Sequence, residues 1–402
     1  MPASSSRPIR AASGDPLIFI RLLNAFASVP DPRNRREPRH LLGDILVVAV
    51  CTALCGQSAF TDMEDFARDH EHWLRTFLEL PGGVPSHDTF NRVFQAVDTH
   101  RFEAAFRSWT AGLCGPAVEL PAGTPSVALL RHLAIDGKVL CGTKGEGTNR
   151  AAALNVWNVD EGLVFGQRRI PEEGSEITQM PLLLRHLRLK GTVVSMDAAH
   201  CQTDTIDLIV ERGGEWLVSL RDNQPSTAAE IRPLLETLAA TTAPAAETTD
   251  KGHGRIEIRR CWILEGETIA SLDCRGRWKG LRCAMLCERT VIAPGTGRET
   301  TGRRMLMTSL PPQAAELATL VRRHWQVESS LHWILDVLWR EDAARARTGY
   351  AATNLSLIRK TAINLLKLLQ PEFPKMSVAR LMKKAARRPD FLYKLLTNLL
   401  RA

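Results

Sequence analysis

"TVVSMDAAHCQTDTIDLIVERGGEWLVSL", residues 192–220, contains a strand, a helix and a second strand in close succession. "TVVSM" and "EWLVSL" are short apolar runs with β-branched or aromatic residues, which is typical of buried strands. Between them, "DTIDLIVER" has helical spacing and is closed by Gly213. A strand, a helix and a strand at this spacing predict a parallel crossover unit, and therefore an α/β fold.

The flanking sequence supplies further strands. "VALLRHLAIDGKVL", "AALNVWNV" and "LVFGQRRI" indicate three strands upstream, the last two joined at "DEG" as a hairpin. "MPLLLRHLRL" indicates a helix with Pro181 in its first turn. Downstream, "AATTAPAAETTD" at 239–250 is expected to be a loop. Strands in "GRIEIRRCWIL", in "LRCAMLCERTVI" and near "RRMLMTSL" then predict a β-rich insertion.

Residues 16–112 are dominated by helical periodicity, as in "DILVVAVCTALCG" and in "FTDMEDFARDHEHWLRTFLEL". In "VPSHDTFNRVF" either Ser86 or Asp88 can cap the next helix. A Gly- and Pro-rich link near 114–125 ends this region. The predicted domains are a tail at 1–15, a helical domain at 16–122, a core at 123–221, a β-rich insertion at 222–312, the last core helices at 313–370 and a basic helical tail at 371–402.

Composition bounds the class of protein. The longest apolar run, residues 45–54 of the 402, is about half the length of a membrane span, and the polar start carries no apolar signal segment. Nine scattered cysteines are typical of a cytoplasmic protein with reduced thiols, and no second pair with zinc-site spacing follows Cys51/Cys55 or Cys283/Cys287. Much of the net charge of +8 lies at 371–402, which holds eight Lys and Arg against two acidic residues. This excess fits either a solvated helix face or a nucleic-acid partner.

Three acidic residues stand at positions where chemistry is expected. Asp197 directly follows an apolar strand, and Asp136 interrupts or ends the first strand. Ligands of open α/β sheets bind at the carboxyl ends of strands. Glu328 lies in "RRHWQVESSLHWILDVLWRED" at 322–342, and at 100° per residue it falls in the same apolar stripe as Val321 and Trp339. The wheel therefore predicts a core-facing carboxylate.

A buried, unpaired carboxylate costs several kcal/mol, so a compensating partner is expected. Each acid alone is open to a bland explanation, since a strand-end Asp forms turns and a buried Glu pairs with Arg. Taken together, three carboxylates in one site would repel each other unless a cation intervenes. Oxygen-only ligands suit Mg²⁺ or Mn²⁺, so the three residues predict a divalent-metal site.

Several longer stretches are specific enough to identify a family. "LAIDGK", "GLVFGQ", "MDAAHCQ", "KGHGRIEIR" and "HWQVESSLHWILDVLWRED" make the chain resemble the DDE transposases of bacterial insertion sequences, in particular the ISAs group with the H-repeat-associated proteins. The resemblance covers roughly residues 20 to 400. It implies an RNase H-like core, a mixed sheet flanked by helices, in which Asp136, Asp197 and Glu328 form the acidic triad.

The resemblance also implies an activity and partners. Two Mg²⁺ or Mn²⁺ ions would be held by the triad, and double-stranded DNA would be cut at the element ends and joined to target DNA through its 3′-OH. A homodimer or larger assembly on DNA, associated with the nucleoid and not with a membrane, is expected. A DNA nuclease of the same fold without strand transfer, and a catalytically silent DNA-binding remnant, are the alternatives.

Polar residues around the triad are further candidates. Residues expected to orient substrate, water or the triad itself, or simply to cap local structure, are His200, Gln202, Asn223, Gln224 and His324. Residues expected to contact DNA phosphates, or to be ordinary surface cations, are Lys138, Arg255, Arg259 and Arg322. The chain departs from better-known relatives around the glutamate, where their Tyr, Arg and Lys are Val321, His324 and Leu335.

Overall fold

The computed structural model describes residues 18–33, 38–113, 127–144, 150–252, 254–393 and 396. The predicted tail at 1–15, the link near 114–125, and Lys394 and Arg401 of the basic tail lie outside these residues. The chain divides into two compact units. The first comprises residues 1–116, 137–175 and 328–402, and the second comprises 117–136 and 176–327.

Within the described residues, six α-helices precede the first strand and four follow the last one. The α-helices are α1 (Ile18–Ala27), α2 (Leu42–Leu54), α3 (Phe60–Asp69), α4 (Glu71–Leu74), α5 (His87–Ala96), α6 (Thr99–Ala111), α7 (Glu176–Leu184), α8 (Thr203–Glu211), α9 (Pro225–Thr241), α10 (Gly266–Ala270), α11 (Ala314–His324), α12 (Trp333–Leu338), α13 (Ala351–Leu369) and α14 (Val378–Arg387). The β-strands are β1 (Arg131–Val139), β2 (Ala152–Asn158), β3 (Leu163–Ile170), β4 (Thr192–Met196), β5 (Glu215–Leu220), β6 (Ala246–Gly252), β7 (Arg255–Leu264), β8 (Cys283–Ala293) and β9 (Arg298–Thr308).

Two buried helices form the centre of the first unit. The sequence of α2, "LGDILVVAVCTAL", is buried at all but one position, and α13 is buried everywhere except at Lys367. The two helices pack against each other, so both lie in the core of this unit. Ser86 caps α5 through its hydroxyl oxygen, which accepts from the Thr89 amide at 3.4 Å. The cap is therefore Ser86, and the alternative at Asp88 is excluded.

The predicted hairpin is confirmed and completes the first unit. β2 and β3 pair antiparallel from Ala152↔Ile170 to Asn158↔Leu163. The turn between them contains Gly162 at φ +67°, a backbone conformation that favours glycine. Asn364 of α13 both accepts from and donates to the backbone of Val164 at 2.8 Å. This pair of hydrogen bonds fixes the buried helix to the hairpin.

The predicted parallel crossover is confirmed in the second unit. β4 pairs in parallel with both β1 and β5, and α8 connects β4 to β5. Gly213, which follows α8, has φ +73°. β5 then pairs antiparallel with β9, and β8, β7 and β6 follow as antiparallel neighbours. The β-rich insertion therefore extends the core sheet.

Among the residues that the structure describes, the strand order is β3-β2-β1-β4-β5-β9-β8-β7-β6, and β1 itself passes from the second unit into the first. This is the mixed sheet with flanking helices and a helical N-terminal region that the sequence predicts. Among the helices that the structure describes, none combines the length and apolarity that a membrane span requires.

Two local predictions are wrong. Most of the predicted loop at 239–250 is regular, because α9 continues to Thr241 and β6 begins at Ala246. Pro181 is the sixth residue of α7 and lies outside its first turn, because the helix begins at Glu176. The exact bounds of the predicted domains stay a prediction.

Candidate active site

Asp136 lies in β1, and Asp197 directly follows β4, the parallel neighbour of β1. The register of β1 with β4 runs from Arg131↔Thr192 to Ile135↔Met196, and Asp136 and Asp197 are the residues that follow its last pair in the chain. Neighbouring strands are about 4.8 Å apart, and residues in register project from the same face. Both aspartates are partly exposed. The meeting of these two carboxylates at the end of β4 stays a prediction, and the register of the strands is compatible with it.

The turn after β4 holds Asp197 in place. Its Oδ1 accepts from the amide of Ala198 at 2.7 Å, and the guanidinium of Arg221 lies 4.0 Å from the same oxygen. The Asp197 side chain remains 42% exposed. The carboxylate is therefore oriented by its own turn and still open to a ligand.

A hydrogen-bonded chain of three side chains crosses the same face of the sheet. His132 Nε2 lies 2.7 Å from Ser195 Oγ, which lies 2.8 Å from His324 Nδ1. Desolvation by burial lowers the pKa of His324 to about 4, and it lowers the pKa of His132 well below its usual value. Both imidazoles are therefore neutral at pH 7. The chain fixes the C-terminal end of α11 to β4, two residues before Asp197.

Glu328 lies in the first unit and is exposed, so the prediction of a core-facing carboxylate is wrong. The reason is local geometry. α11 ends at His324, and a π-helical turn spans Val327–His332 before α12 begins at Trp333. A π-helix has more residues per turn than the α-helix that the wheel assumes. Val327 and Leu331 are buried in its place.

The predicted grouping of Glu328 with the two aspartates stays a prediction. Within the described part of the chain, no three His, Cys, Asp or Glu side chains are gathered in a cluster suited to a metal ion. The aspartate pair nevertheless has the donor chemistry of such a site, because it offers only carboxylate oxygens on a partly exposed sheet edge.

Sequence comparisons identify the family of the chain. The family model described as "Transposase DDE domain" matches residues 128–365, and the model "DDE_Tnp_1-associated" matches residues 23–110. The chain belongs to the DDE transposase family. A DDE transposase of this family typically uses divalent metal ions and acts on DNA.

Several similar proteins match most of the sequence of this transposase. "H repeat-associated putative transposase YhhI" of Escherichia coli K12 is 31% identical over 384 residues, which is 94% of this chain and 98% of that protein. "Putative transposase YncI" of Escherichia coli O157:H7 is 32% identical over 86% of this chain and 87% of its own length. A Xanthobacter autotrophicus protein from the dhlA 3′ region is 35% identical over 71% of this chain and 92% of its own length.

The polar residues predicted to orient the site hold the turn after Asp197 in the transposase. Asn223 donates to Ala198 O and Gln224 to Cys201 O, both at 2.7 Å. Gln202 donates to Ala199 O at 3.4 Å, and buried His200 has its Nε2 3.3 Å from a Glu176 carboxylate oxygen. All of these contacts order residues 198–202. Direct contact with substrate stays a prediction for each.

Lys138, a predicted phosphate contact of the transposase, is engaged inside the first unit. Its ammonium is buried, donates to both carboxylate oxygens of Asp336 at 2.8 Å and lies 3.2 Å from Asp342. Burial alone lowers the pKa of Lys138, but the carboxylates of Asp336, Glu341 and Asp342 outweigh it and hold the pKa above its ordinary value. Lys138 is thus a structural ion-pair partner here, and a role in DNA contact stays a prediction.

The three predicted arginines lie together in the second unit. Arg255 and Arg259 both pair with Glu257, and Arg259 and Arg322 both pair with Asp250, at 2.6 and 2.9 Å respectively. About half of the Arg255 and Arg322 side chains is exposed. They form a partly neutralised surface cluster on the β-rich region.

The structure adds residues that the sequence did not single out. Ser195 links the two buried histidines, and its position two residues before Asp197 on a strand is the signal that places both on one face. Arg304 stacks over Trp325 at 3.9 Å, and Arg221 faces Asp197. The pairing of residues so far apart in sequence leaves no local signal.

Proposed function

We propose that the chain is an active transposase that hydrolyses phosphodiester bonds at the ends of an insertion sequence and joins the freed 3′-OH to target DNA. Its catalytic carboxylates are those of Asp136, Asp197 and Glu328. The observation that supports this most directly is the register of β1 and β4, whose last pair, Ile135↔Met196, directly precedes two of the three carboxylates in the chain.

Divalent cations fit this donor set. Asp136 and Asp197 would hold Mg²⁺ or Mn²⁺ together with Glu328, as two ions. Such ions, when bound, activate the attacking oxygen and neutralise charge on the leaving oxygen. The Ala198 amide and Arg221 both approach Oδ1 of Asp197, so these two groups would orient the carboxylate that holds the cation.

The remaining site residues act by positioning. The amides of Asn223 and Gln224 hold the turn after Asp197, which limits the directions its carboxylate can adopt. The His132–Ser195–His324 chain holds α11 against β4. Neutral imidazoles at this point add no positive charge that would compete with a cation at the aspartates.

The test compares Asp136→Asn, Asp197→Asn and Glu328→Gln with Asp204→Asn, an exposed aspartate on α8. Cleavage and joining are measured on labelled duplexes carrying the ends of the host element, with Mg²⁺, Mn²⁺, Ca²⁺ or EDTA. We expect each triad variant to lose roughly 1,000-fold or more in rate, since metal catalysis supplies several kcal/mol. DNA binding should persist, and Asp204→Asn should cleave normally.

The outcomes separate the candidate functions. The triad assignment is contradicted if Glu328→Gln retains near-normal Mg²⁺-dependent activity. It is also contradicted if the unaltered protein turns over robustly in EDTA. Cleavage without joined products indicates a nuclease of the same fold. DNA binding without metal-dependent cleavage by the unaltered protein indicates a silent remnant. A relative named "Inactive transposase YbfQ" is 33% identical over 18% of this chain, which gives that outcome a precedent among similar proteins.

A further inference from the structure

We propose that an arginine-lined groove beside Asp197 binds the phosphodiester backbone of the DNA strand that enters the site. The inference rests on the proposed function and adds to it a specific set of positioning residues. The groove lies in the second unit, where the end of β5 meets α9, β8 and β9, and it has a volume of about 340 Å³. This is the size of a small-ligand pocket, so it accommodates a short stretch of one backbone rather than a whole duplex.

The charge of the groove suits a polyanion. Its lining includes four arginines, Arg221, Arg232, Arg303 and Arg304, against two acids, Asp222 and Glu236. Guanidinium groups bind phosphate through paired, charge-assisted hydrogen bonds, which is why arginine is frequent in phosphate sites.

The existing ion pairs leave these arginines available. Arg232 pairs with Asp222 at 2.6 Å, but the Asp222 side chain is 89% exposed, and pairs in such a position are weak. Arg303 donates to Glu288 at 2.8 Å while about half of its own side chain is exposed. A phosphate oxygen can replace or join the carboxylate in each case.

One arginine of the groove lies close to Asp197. Arg221 follows β5 directly, lines the groove, and has its guanidinium 4.0 Å from Oδ1 of Asp197. Arg304 lines it from β9, and its guanidinium carbon lies over the Trp325 ring, 3.9 Å from the ring centroid. This cation–π contact restrains the Arg304 side chain, and Arg221 is the arginine of the groove that lies near Asp197.

If the groove is an ordinary solvated surface, these arginines make no contact with DNA, and replacing them leaves DNA affinity unchanged. If the groove binds the DNA backbone, replacing them weakens DNA binding. The probes are a fluorescein-labelled DNA duplex of arbitrary sequence and one of its separated strands, bound to the full chain over a series of salt concentrations. The variant is Arg232→Gln with Arg303→Gln, neither of which is in the proposed catalytic machinery. The matched control is Lys279→Gln, an exposed cation of the same unit that pairs with Glu211 outside the groove.

We expect the double arginine variant to bind both probes more weakly and to lose roughly 0.7 from the slope of log K against log salt per lost contact on the single strand. Lys279→Gln should behave as the unaltered protein. Removing the competing carboxylates, with Asp222→Asn and Glu236→Gln, should change affinity in the opposite direction and tighten binding. This second variant retains a decisive reading if the arginine variant does not fold.

The proposed binding of DNA by the groove is contradicted if the salt slope of the arginine variant is unchanged. It is also contradicted if the DNA affinity of the carboxylate variant is unchanged. The Asp197→Asn chain in the same experiment separates this result from the proposed function. If the arginine variant binds DNA more weakly but the unaltered protein never cleaves, the DNA-binding role of the groove is supported and the catalytic proposal fails. If the arginine variant binds normally while Asp197→Asn abolishes cleavage, the catalytic proposal stands and the groove fails.

Discussion

His324 shows how a single residue near the acidic pair connects stability to pH. Its imidazole is largely enclosed, bonded to Ser195 at 2.8 Å, and burial lowers its pKa to about 4, an effect that Asp197 partly offsets. An unfolded chain would protonate the same side chain near pH 6.5. The stabilising contribution of the neutral imidazole is therefore complete above pH 6.5 and is lost as the pH falls towards 4.

This predicts an acid-sensitive free energy of unfolding that depends on His324. Between pH 7 and pH 4 we expect His324 to account for a loss of roughly 2 kcal/mol, reduced from the full shift because the side chain is not completely enclosed. Urea midpoints measured across this range should fall less steeply for His324→Gln. His72→Gln, which changes an exposed histidine, serves as the control. Equal pH slopes for His324→Gln and the unaltered protein would contradict the prediction.

Lys138 marks the limit of reading single residues from sequence. As an isolated cation near Asp136 it predicts a phosphate contact, whereas its actual partners, Asp336 and Asp342, lie about 200 residues away along the chain. The same holds for His132 and Ser195, whose pairing with His324 requires the register of β1, β4 and α11. Residue type indicates what a side chain can do, but long-range packing decides which partner it meets.

At the scale of elements, apolar strands are predicted well and exposed or irregular segments are not. "TVVSM" and "EWLVSL" are enriched in residues that favour strands, and both form strands with the predicted ends. β6, "AETTDKG", is an exposed strand at one end of the sheet, so it lacks the apolar alternation that identifies strands, and the sequence indicates a loop. The wheel centred on Glu328 fails because the π-helical turn shifts the helical phase.

The π-helical turn at Val327–His332 predicts that the number of residues in this segment matters for activity. A π-helical turn is equivalent to one residue inserted in an α-helix, and such turns are frequent at functional sites. Deleting Ser330 should restore an α-helical period and rotate Glu328 by about 100° relative to the buried face of α12, which includes Ile334 and Leu335. We expect cleavage to be lost and the free energy of unfolding to fall by roughly 2 kcal/mol or more.

Ser330→Ala is the matched control, because it changes the same position and preserves the length of the segment. It should retain cleavage and a urea midpoint close to that of the unaltered protein. If the Ser330 deletion cleaves DNA normally, the phase that the π-helical turn gives to Glu328 has no functional importance.

At the scale of the whole molecule, the basic C-terminal segment is the largest feature whose role the sequence leaves open. The structure shows that α14 packs as well as carries charge. Val378, Leu381, Met382 and Ala385 are buried, and Ser377 caps the helix through its hydroxyl, which accepts from the Arg380 amide at 3.4 Å. Lys384 lies over the Phe391 ring at 4.2 Å. Part of the positive charge therefore contributes to packing.

Truncating the chain before Ser377 should consequently destabilise the first unit. Burying one Val, Leu or Met side chain contributes about 1.5–3 kcal/mol, so we expect the free energy of unfolding to fall by several kcal/mol. The charge variant Lys383→Gln with Arg387→Gln alters only exposed side chains of α14 and should stay within about 0.5 kcal/mol of the unaltered protein. A truncated chain with an unchanged urea midpoint would contradict the packing role. The charge variant also tests whether the basic residues of α14 contact DNA. Each lost duplex phosphate contact lowers the slope of log K against log salt by about 0.9. If the basic face makes no DNA contact, that slope stays unchanged.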